Sequence, residues 1–520
     1  MIIGLACALG ALVGSFFNYP VKKKSLLSAN VNKQKLENLI DFINYDYVDQ
    51  VNTDSIVDIT IRNILAHLDP HSTYISKSNY RASTETLEGD FIGIGVQFFQ
   101  VKDTMAVIRT LAEGPSGRLG ILPGDRIVYA DDVPLFGKNF NLDSLKNILS
   151  GQLSTVVRLG VKRRDVDKIL HFEIPREHIP LKSVEASFML EQGLGYVKLN
   201  RFTKNTYSEF KRALNKLEKK GVKDIVLDLR DNGGGYLKEA IKVVDEFLPE
   251  GTLILKTINK NGNIKESYAT RDGDFENAKV FVIINENSAS ASEIVAGALQ
   301  DNDVGTIVGQ RSFGKGLVQR EMELGDGSAV RLTVARYYTP TGRSIQKPYK
   351  NLSRNEYYRD YIKRYHNGEL TSKDSIQVDD SLKFTTPGGK IVYGGGGIIP
   401  DVFISRDINY KKESLDYMFK GGLMDRFIFE KMDENRTFYN RLTWEDFKKE
   451  TIVTDDWVLD FTEYLETYNL NFQPKKYEGL IKEYLTATMA HQLFGTELYE
   501  YLIAQHDKVI DKILELEKES

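Results

Sequence analysis

Three serines, Ser288, Ser290 and Ser292, stand in the polar turn after Val280 to Asn285, a run of six residues of which five are apolar and mostly β-branched. Such a run reads as a fully buried strand. Ser290-Ala291-Ser292-Glu293 then leads into the helix-like stretch Ile294 to Gln300. Serine followed three residues later by glutamate, ahead of an apolar helical run, is a capping-box signature. A serine at a strand-to-helix turn has a second reading. Its side chain stands exposed at the sheet edge, and the N–H groups of the first helical turn, which lack intrahelical acceptors, point at whatever reacts there. That suits a nucleophile beside an oxyanion hole.

A serine hydroxyl needs a base. None of the seven histidines (His67, His71, His171, His178, His366, His491, His506) falls in this stretch, and the chain has no Gly-x-Ser-x-Gly elbow. The stretch does supply Lys315, set between two glycines in Ser312-Phe313-Gly314-Lys315-Gly316. A lysine serves as general base only if burial depresses its pKa towards neutrality, because desolvation disfavours the ammonium. The flanking glycines permit close backbone packing, and Phe313, Leu317 and Val318 are placed to dry the surroundings.

Asn287 to Asn302 and Val308 to Gln319 strongly resemble the carboxyl-terminal processing peptidases, the tail-specific proteases of serine peptidase family S41. The resemblance implies a Ser/Lys dyad with a supporting glutamine four residues after the lysine, hence Ser290 as nucleophile, Lys315 as base and Gln319 as support. It selects Ser290 over its two neighbours, a choice composition does not make. It also implies an oxyanion hole built from the N–H of Ala291 and that of Gly233 or Gly234, with the choice of glycine open. The Gly233-Gly234-Gly235 run matches neither nucleotide-binding glycine motif, and Asn232 and Arg230 read as braces of this turn.

The elements around these residues divide the chain. Residues 1–24 hold an apolar run, 2–17, of signal-peptide length followed by Lys22-Lys23-Lys24, read as an export signal or membrane anchor. Read alone, the basic triplet would leave the body in the cytoplasm; the resemblance outweighs it, so the expected location is extracytoplasmic (periplasmic). Residues 25–86 form an N-terminal helical region, with Asn52-Thr53-Asp54 as a cap between two helices. It ends near His67-Leu68-Asp69-Pro70-His71-Ser72, where Pro70 argues against two histidines sharing a helix face around a metal.

Residues 87–179 change to short strands with glycine turns and resemble an inserted, circularly permuted PDZ domain. There Gly93, Ile94, Gly95 and Val96 would cradle a peptide carboxylate while the peptide adds as a strand. Residues 180–405 alternate strands and helices, an α/β catalytic core that the resemblance relates to the Clp-protease and crotonase folds; within it, residues 350–382 are polar, Tyr-rich and read as an insertion. Residues 406–520 read as amphipathic helices, with a start signal at Thr443-x-x-Asp446, and as a docking or oligomerisation region.

At 520 residues the chain exceeds one core. Its 41% hydrophobic and 27% charged residues are ordinary for a globular protein, and a net charge of −4 gives no sign of a nucleic-acid partner. Cys7 is the sole cysteine, so the body is thiol-free, as suits an oxidising compartment without disulfides. The expectation is a serine endopeptidase, without metal or other cofactor, acting on protein or peptide substrates with free apolar C-termini. A homo-oligomer and a regulatory partner are left open. The alternative from another class is a PDZ adaptor with an inactive protease core.

Overall fold

The run Val280–Ile284 is a wholly buried strand, third from one end and fourth from the other of a six-stranded sheet. In this computed structural model the described residues are 31–111, 114–137, 142–270, 273–406, 418, 421–450, 452–470 and 477–519. The apolar run 2–17, Cys7 and the Lys22–Lys24 triplet lie outside them. The sheet order is Val184–Glu191, Leu194–Leu199, Asp224–Asp228, Val280–Ile284, Gly305–Gly309, Val402–Phe403. All neighbours are parallel except the first pair. Parallel strands buried on both faces need no polar alternation, which is why Val280-Phe281-Val282-Ile283-Ile284 reads as a continuous apolar run.

The helix Ala291–Asp301 follows this strand and is buried along its whole length. It packs in the main core with Phe210, Leu214, Val243, Val244 and Phe247 from the helices Thr206–Glu218 and Leu237–Asp245 and the segment after them. A second, five-stranded sheet contains Leu317–Glu323, which leaves directly from the Lys315 loop and pairs antiparallel with Ala329–Tyr338.

The chain divides into two units at Leu68/Asp69. In the first, the helices Val31–Tyr45 and Thr53–Ala66 are joined through Asn52, whose side chain accepts the Ser55 N–H at 3.0 Å. The region 25–86, expected to be helical, holds the helices Val31–Tyr45, Thr53–Ala66 and Lys77–Glu88, with a turn and a short strand between the second and the third. The Asp69 carboxylate accepts the N–H of His71 and of Ser72, both at 2.9 Å, and the Ser72 hydroxyl at 2.6 Å. This turn feeds an extended Thr73–Ile75, which pairs with Ala329 to Arg331 and so belongs to the second unit.

Within the second unit, the β-rich segment forms a six-stranded sheet whose main path begins with Val96–Val101 as an edge and continues through Thr104–Thr110, Arg126–Ala130, Val156–Lys162 and Leu170–Pro175. Arg163 grips the buried Asp125 carboxylate through two bonds of 2.8 Å. The described residues after 420 are helical except for short connections, and the capping box of Thr443 and Asp446 starts one helix. Ala504, Val509, Ile510 and Ile513 pack on the mostly parallel sheet beside Phe281 and Ile283. Phe429 packs against Val101, Ala106 and Ile108 of the β-rich segment, and Arg126 pairs with Asp433 at 2.6 Å. Among the described residues no helix is long and apolar enough to cross a membrane.

Candidate active site

The turn between Ile284 and Ala291 is bent sharply enough to put Ser290 at φ 58°, ψ −112°. For a non-glycine residue this backbone is strained, at a cost on the order of 1–3 kcal/mol, and such strain clusters at functional sites. The three serines separate here. Ser288 is buried and its hydroxyl donates to Leu229 O at 2.8 Å; Ser292 is buried and donates to Asn232 O at 2.9 Å. Both are committed to holding the turn on the neighbouring segment. Ser290 is half-buried, at the mouth of the turn.

Glu293 does more than cap. Its carboxylate is fully buried and accepts the N–H of Ser290 (2.8 Å), the hydroxyl of Ser312 (2.6 Å), and the N–H groups of Gly314 (2.7 Å) and Lys315 (2.8 Å). One side chain thereby ties the serine turn to the lysine loop. Burial pushes its carboxyl above the usual value, while these donors pull the other way. The buried Tyr337 adds a second tie, its hydroxyl lying 2.8 Å from Lys315 O and 3.1 Å from Ser290 O.

Burial, reinforced by the charge of Arg331 and opposed by Glu293 and Asp69, lowers the Lys315 ammonium from 10.5 to about 8. Lys315 Nζ donates to Gln319 Oε1 at 2.8 Å, and Gln319 Nε2 donates to His71 O at 2.7 Å. The second bond fixes which end of the amide faces the lysine. The structure therefore ties Ser290 to Lys315 through Glu293 and sets Gln319, on the strand Leu317–Glu323, against the lysine. It also brings in His71, which sequence proximity does not reveal. Its Nε2 lies 2.9 Å from Tyr357 Oη and its Nδ1 3.3 Å from Tyr358 Oη, and burial with the nearby Lys315 holds it down at about 3. Its carbonyl meets Gln319, and both ring nitrogens face tyrosine hydroxyls.

The glycine turn lies against the serine. Gly234 (φ +95°) comes so close that a Cβ there would sit 2.8 Å from Ala289 O, Ala291 N and Ser290 Cβ. Its N–H is committed to Asn232 Oδ1 at 2.9 Å. Among the described residues neither Gly233 N–H nor Ala291 N–H has a protein acceptor. Asn232 braces the turn through Leu199 O at 2.9 Å, and Arg230 is held by Asp228 and by Asp507 at 2.6 Å.

In the β-rich segment, Ile94 O accepts the Ser116 hydroxyl at 2.6 Å and Gly95 O accepts Leu111 N–H at 2.9 Å. In a trans peptide the N–H points away from the C=O, so the Gly95 and Val96 N–H groups project to the opposite side. For Val96 that is the free edge of Val96–Val101. Gly95 (φ +71°) is pressed on Gly114, where a Cβ would sit 2.7 Å from the Gly114 Cα. Among the described residues no group of three or more His, Cys, Asp or Glu is placed to hold a metal ion.

Residues 193–350 match the model of peptidase family S41, and residues 415–495 match that of a family of unknown function. The chain is similar to the carboxy-terminal-processing protease of Bartonella bacilliformis, 35% identical over 326 residues that cover 61% of this chain and 74% of that protein. It is similar to the carboxy-terminal processing protease CtpB of Bacillus subtilis, 33% identical over 316 residues that cover 60% and 65%. Among solved structures, the photosystem II D1 C-terminal processing protease is 26% identical, with a TM-score of 0.38 over 72% of this chain and 87% of that one.

Proposed function

Because this chain belongs to the carboxy-terminal-processing proteases of peptidase family S41, and is a serine peptidase, we propose that it cuts its substrates with Ser290 as nucleophile and Lys315 as general base. The observation that carries this reading is the Lys315–Gln319–His71 chain of bonds beside a strained Ser290. A neutral amine has one lone pair and two protons. With one proton directed at Gln319 Oε1, the lone pair is free to turn towards the serine hydroxyl.

Ser290 Oγ then attacks the scissile carbonyl carbon while its proton passes to Lys315 Nζ. The carbonyl oxygen gains the negative charge and is met by the N–H groups of Ala291 and Gly233. Gly234 contributes by lacking a side chain. Collapse of the tetrahedral adduct breaks the C–N bond, and the Lys315 ammonium returns the proton to the departing amine. Water, deprotonated by the neutral Lys315, then attacks the acyl-enzyme, and the Lys315 ammonium returns that proton to Ser290 Oγ as the ester C–O bond breaks.

The reading extends to substrate choice. The segment 87–179 acts as a PDZ domain, with Gly93, Ile94, Gly95 and Val96 receiving a terminal carboxylate on the outward N–H groups and the peptide pairing along Val96–Val101. The substrates are then proteins with free apolar C-termini, met outside the cytoplasm by a chain exported or anchored through residues 2–17. An inactive adaptor is not favoured, because the intact lysine–glutamine geometry serves no purpose in binding tails. The full-length protein incubated with an unfolded protein bearing an apolar tail should cleave it, and the Ser290→Ala protein should not; equal cleavage by both would end the assignment.

A further inference from the structure

We infer that Tyr357 is a positioning residue for this reaction, closing a ring of hydrogen bonds that holds Lys315 from two sides; the inference rests on the Ser290/Lys315 reading. The ring runs from Lys315 Nζ to Gln319 Oε1 (2.8 Å) and from Gln319 Nε2 to His71 O (2.7 Å). It continues from the His71 ring at Nε2 to Tyr357 Oη (2.9 Å). Gln346 Nε2 donates to the same Tyr357 oxygen (3.1 Å), and Gly316 N–H donates to Gln346 Oε1 (2.9 Å). Gly316 is the covalent neighbour of Lys315, so the ring is complete.

The proton positions follow from the pattern. Gln346 Oε1 is the acceptor for Gly316, so its Nε2 is the donor to Tyr357. With that lone pair engaged, Tyr357 gives its own proton to His71 Nε2, and the histidine proton lies on Nδ1, facing Tyr358 Oη. Gln346 Nε2 gives its second proton to Lys347 O at 2.8 Å, and with Nε2 of His71 accepting from Tyr357 the pattern uses a neutral His71.

Tyr357 is suited to the task by its rigidity. It sits on the helix Arg354–Tyr358, started by the Ser353/Glu356 capping box, and is 1% exposed. Its ring meets His71 edge-on at 5.1 Å, and the Lys347 ammonium lies 4.4 Å from its centroid. It lies beyond residue 350, where the match to the peptidase family model ends, in the segment read from sequence as an insertion. A general base works only within hydrogen-bond reach of its proton, and a misplacement of about 1 Å can cost on the order of 10²-fold.

Besides this ring, the charged or titratable groups acting on Lys315 are Arg331, Glu293 and Asp69, with His71 on the far side of Gln319. The test is Tyr357→Phe in the full chain, which keeps the ring and removes the hydroxyl. We expect kcat to fall by about tenfold with KM within about twofold, no change in the thermal midpoint beyond a few degrees, and a downward move of the alkaline-rising midpoint, since an ammonium whose acceptor, Gln319 Oε1, is held less firmly gives up its proton more readily. A merely structural tyrosine would lower the thermal midpoint and leave that pH midpoint in place. Wild-type kcat and an unmoved pH midpoint overturn the proposal. If Tyr357→Phe does not fold, Gln346→Met opens the same ring at a half-buried position and is held to the same outcomes. Lys315→Ala, assayed alongside, separates the two readings: turnover by that variant defeats the dyad itself, whereas an inactive Lys315→Ala beside a fully active Tyr357→Phe defeats only the role of Tyr357.

Discussion

The Glu293 carboxylate accepts the main-chain N–H of Lys315 at 2.8 Å, and its other bonds reach Ser290, Ser312 and Gly314. The spacing of Ser290 and Lys315, the proposed nucleophile and base, is therefore held by a carboxylate outside the proposed dyad. Glu293→Gln keeps the volume but turns an amide N–H₂ towards two of these donors. The loss should be about 1–3 kcal/mol of stability, together with at least about a tenfold fall in kcat. Thermal unfolding and steady-state kinetics of the purified variant check both.

Ser288→Ala and Ser292→Ala separate structure from catalysis. Each removes a buried hydroxyl bound to a main-chain carbonyl, at Leu229 O and Asn232 O. Each should lower stability by about 1–3 kcal/mol and leave measurable hydrolysis below the new melting temperature, where Ser290→Ala leaves none.

Much of this arrangement is legible in the chain itself, for local reasons. Val280–Ile284 and Ala291–Asp301 are readable because a β-branched run, a polar turn and a capping pattern each report short-range physics. The meeting of Gln319 with the His71 carbonyl is not readable, because it joins residues 248 apart through a main-chain atom that carries no side-chain signature. For the same reason Glu293 reads as a cap alone; its bonds to Gly314 and Lys315 depend on how two loops dock. That Gly234 N–H is committed to Asn232 Oδ1, two residues away, is a matter of turn geometry that a run of three glycines does not signal.

Gly234→Ala tests the close approach of the glycine turn. The added methyl would meet Ala289 O, Ala291 N and Ser290 Cβ at 2.8 Å, on a backbone with φ +95° that disfavours alanine. Hydrolysis should fall at least about a hundredfold, and labelling of Ser290 by a serine-directed phosphonate should slow in step.

Amidating a substrate's C-terminus removes its charge and little of its shape. If the N–H groups of Gly95 and Val96 receive that carboxylate, amidation should raise KM and weaken tail binding measured by calorimetry on Ser290→Ala. Indifference to amidation would mean that residues 87–179 do not read tails.

The central claim is that a neutral Lys315 is the base, and the pH profile of kcat/KM, which reports the free enzyme, tests it most directly. Burial and Arg331 bring the Lys315 ammonium down from 10.5 to about 8. Only the deprotonated amine accepts the serine proton, so the rate must climb as pH rises through that value. Near neutrality only about a tenth of the enzyme then carries the active form. Lys315→Arg keeps the charge and never deprotonates under these conditions, so it should fold, bind tails and hydrolyse nothing. A profile rising with a midpoint near 8, abolished in Lys315→Arg, is the expected result. A flat profile between about pH 7 and about pH 9, a midpoint near the ordinary histidine value of about 6.5, or turnover by Lys315→Arg would contradict it.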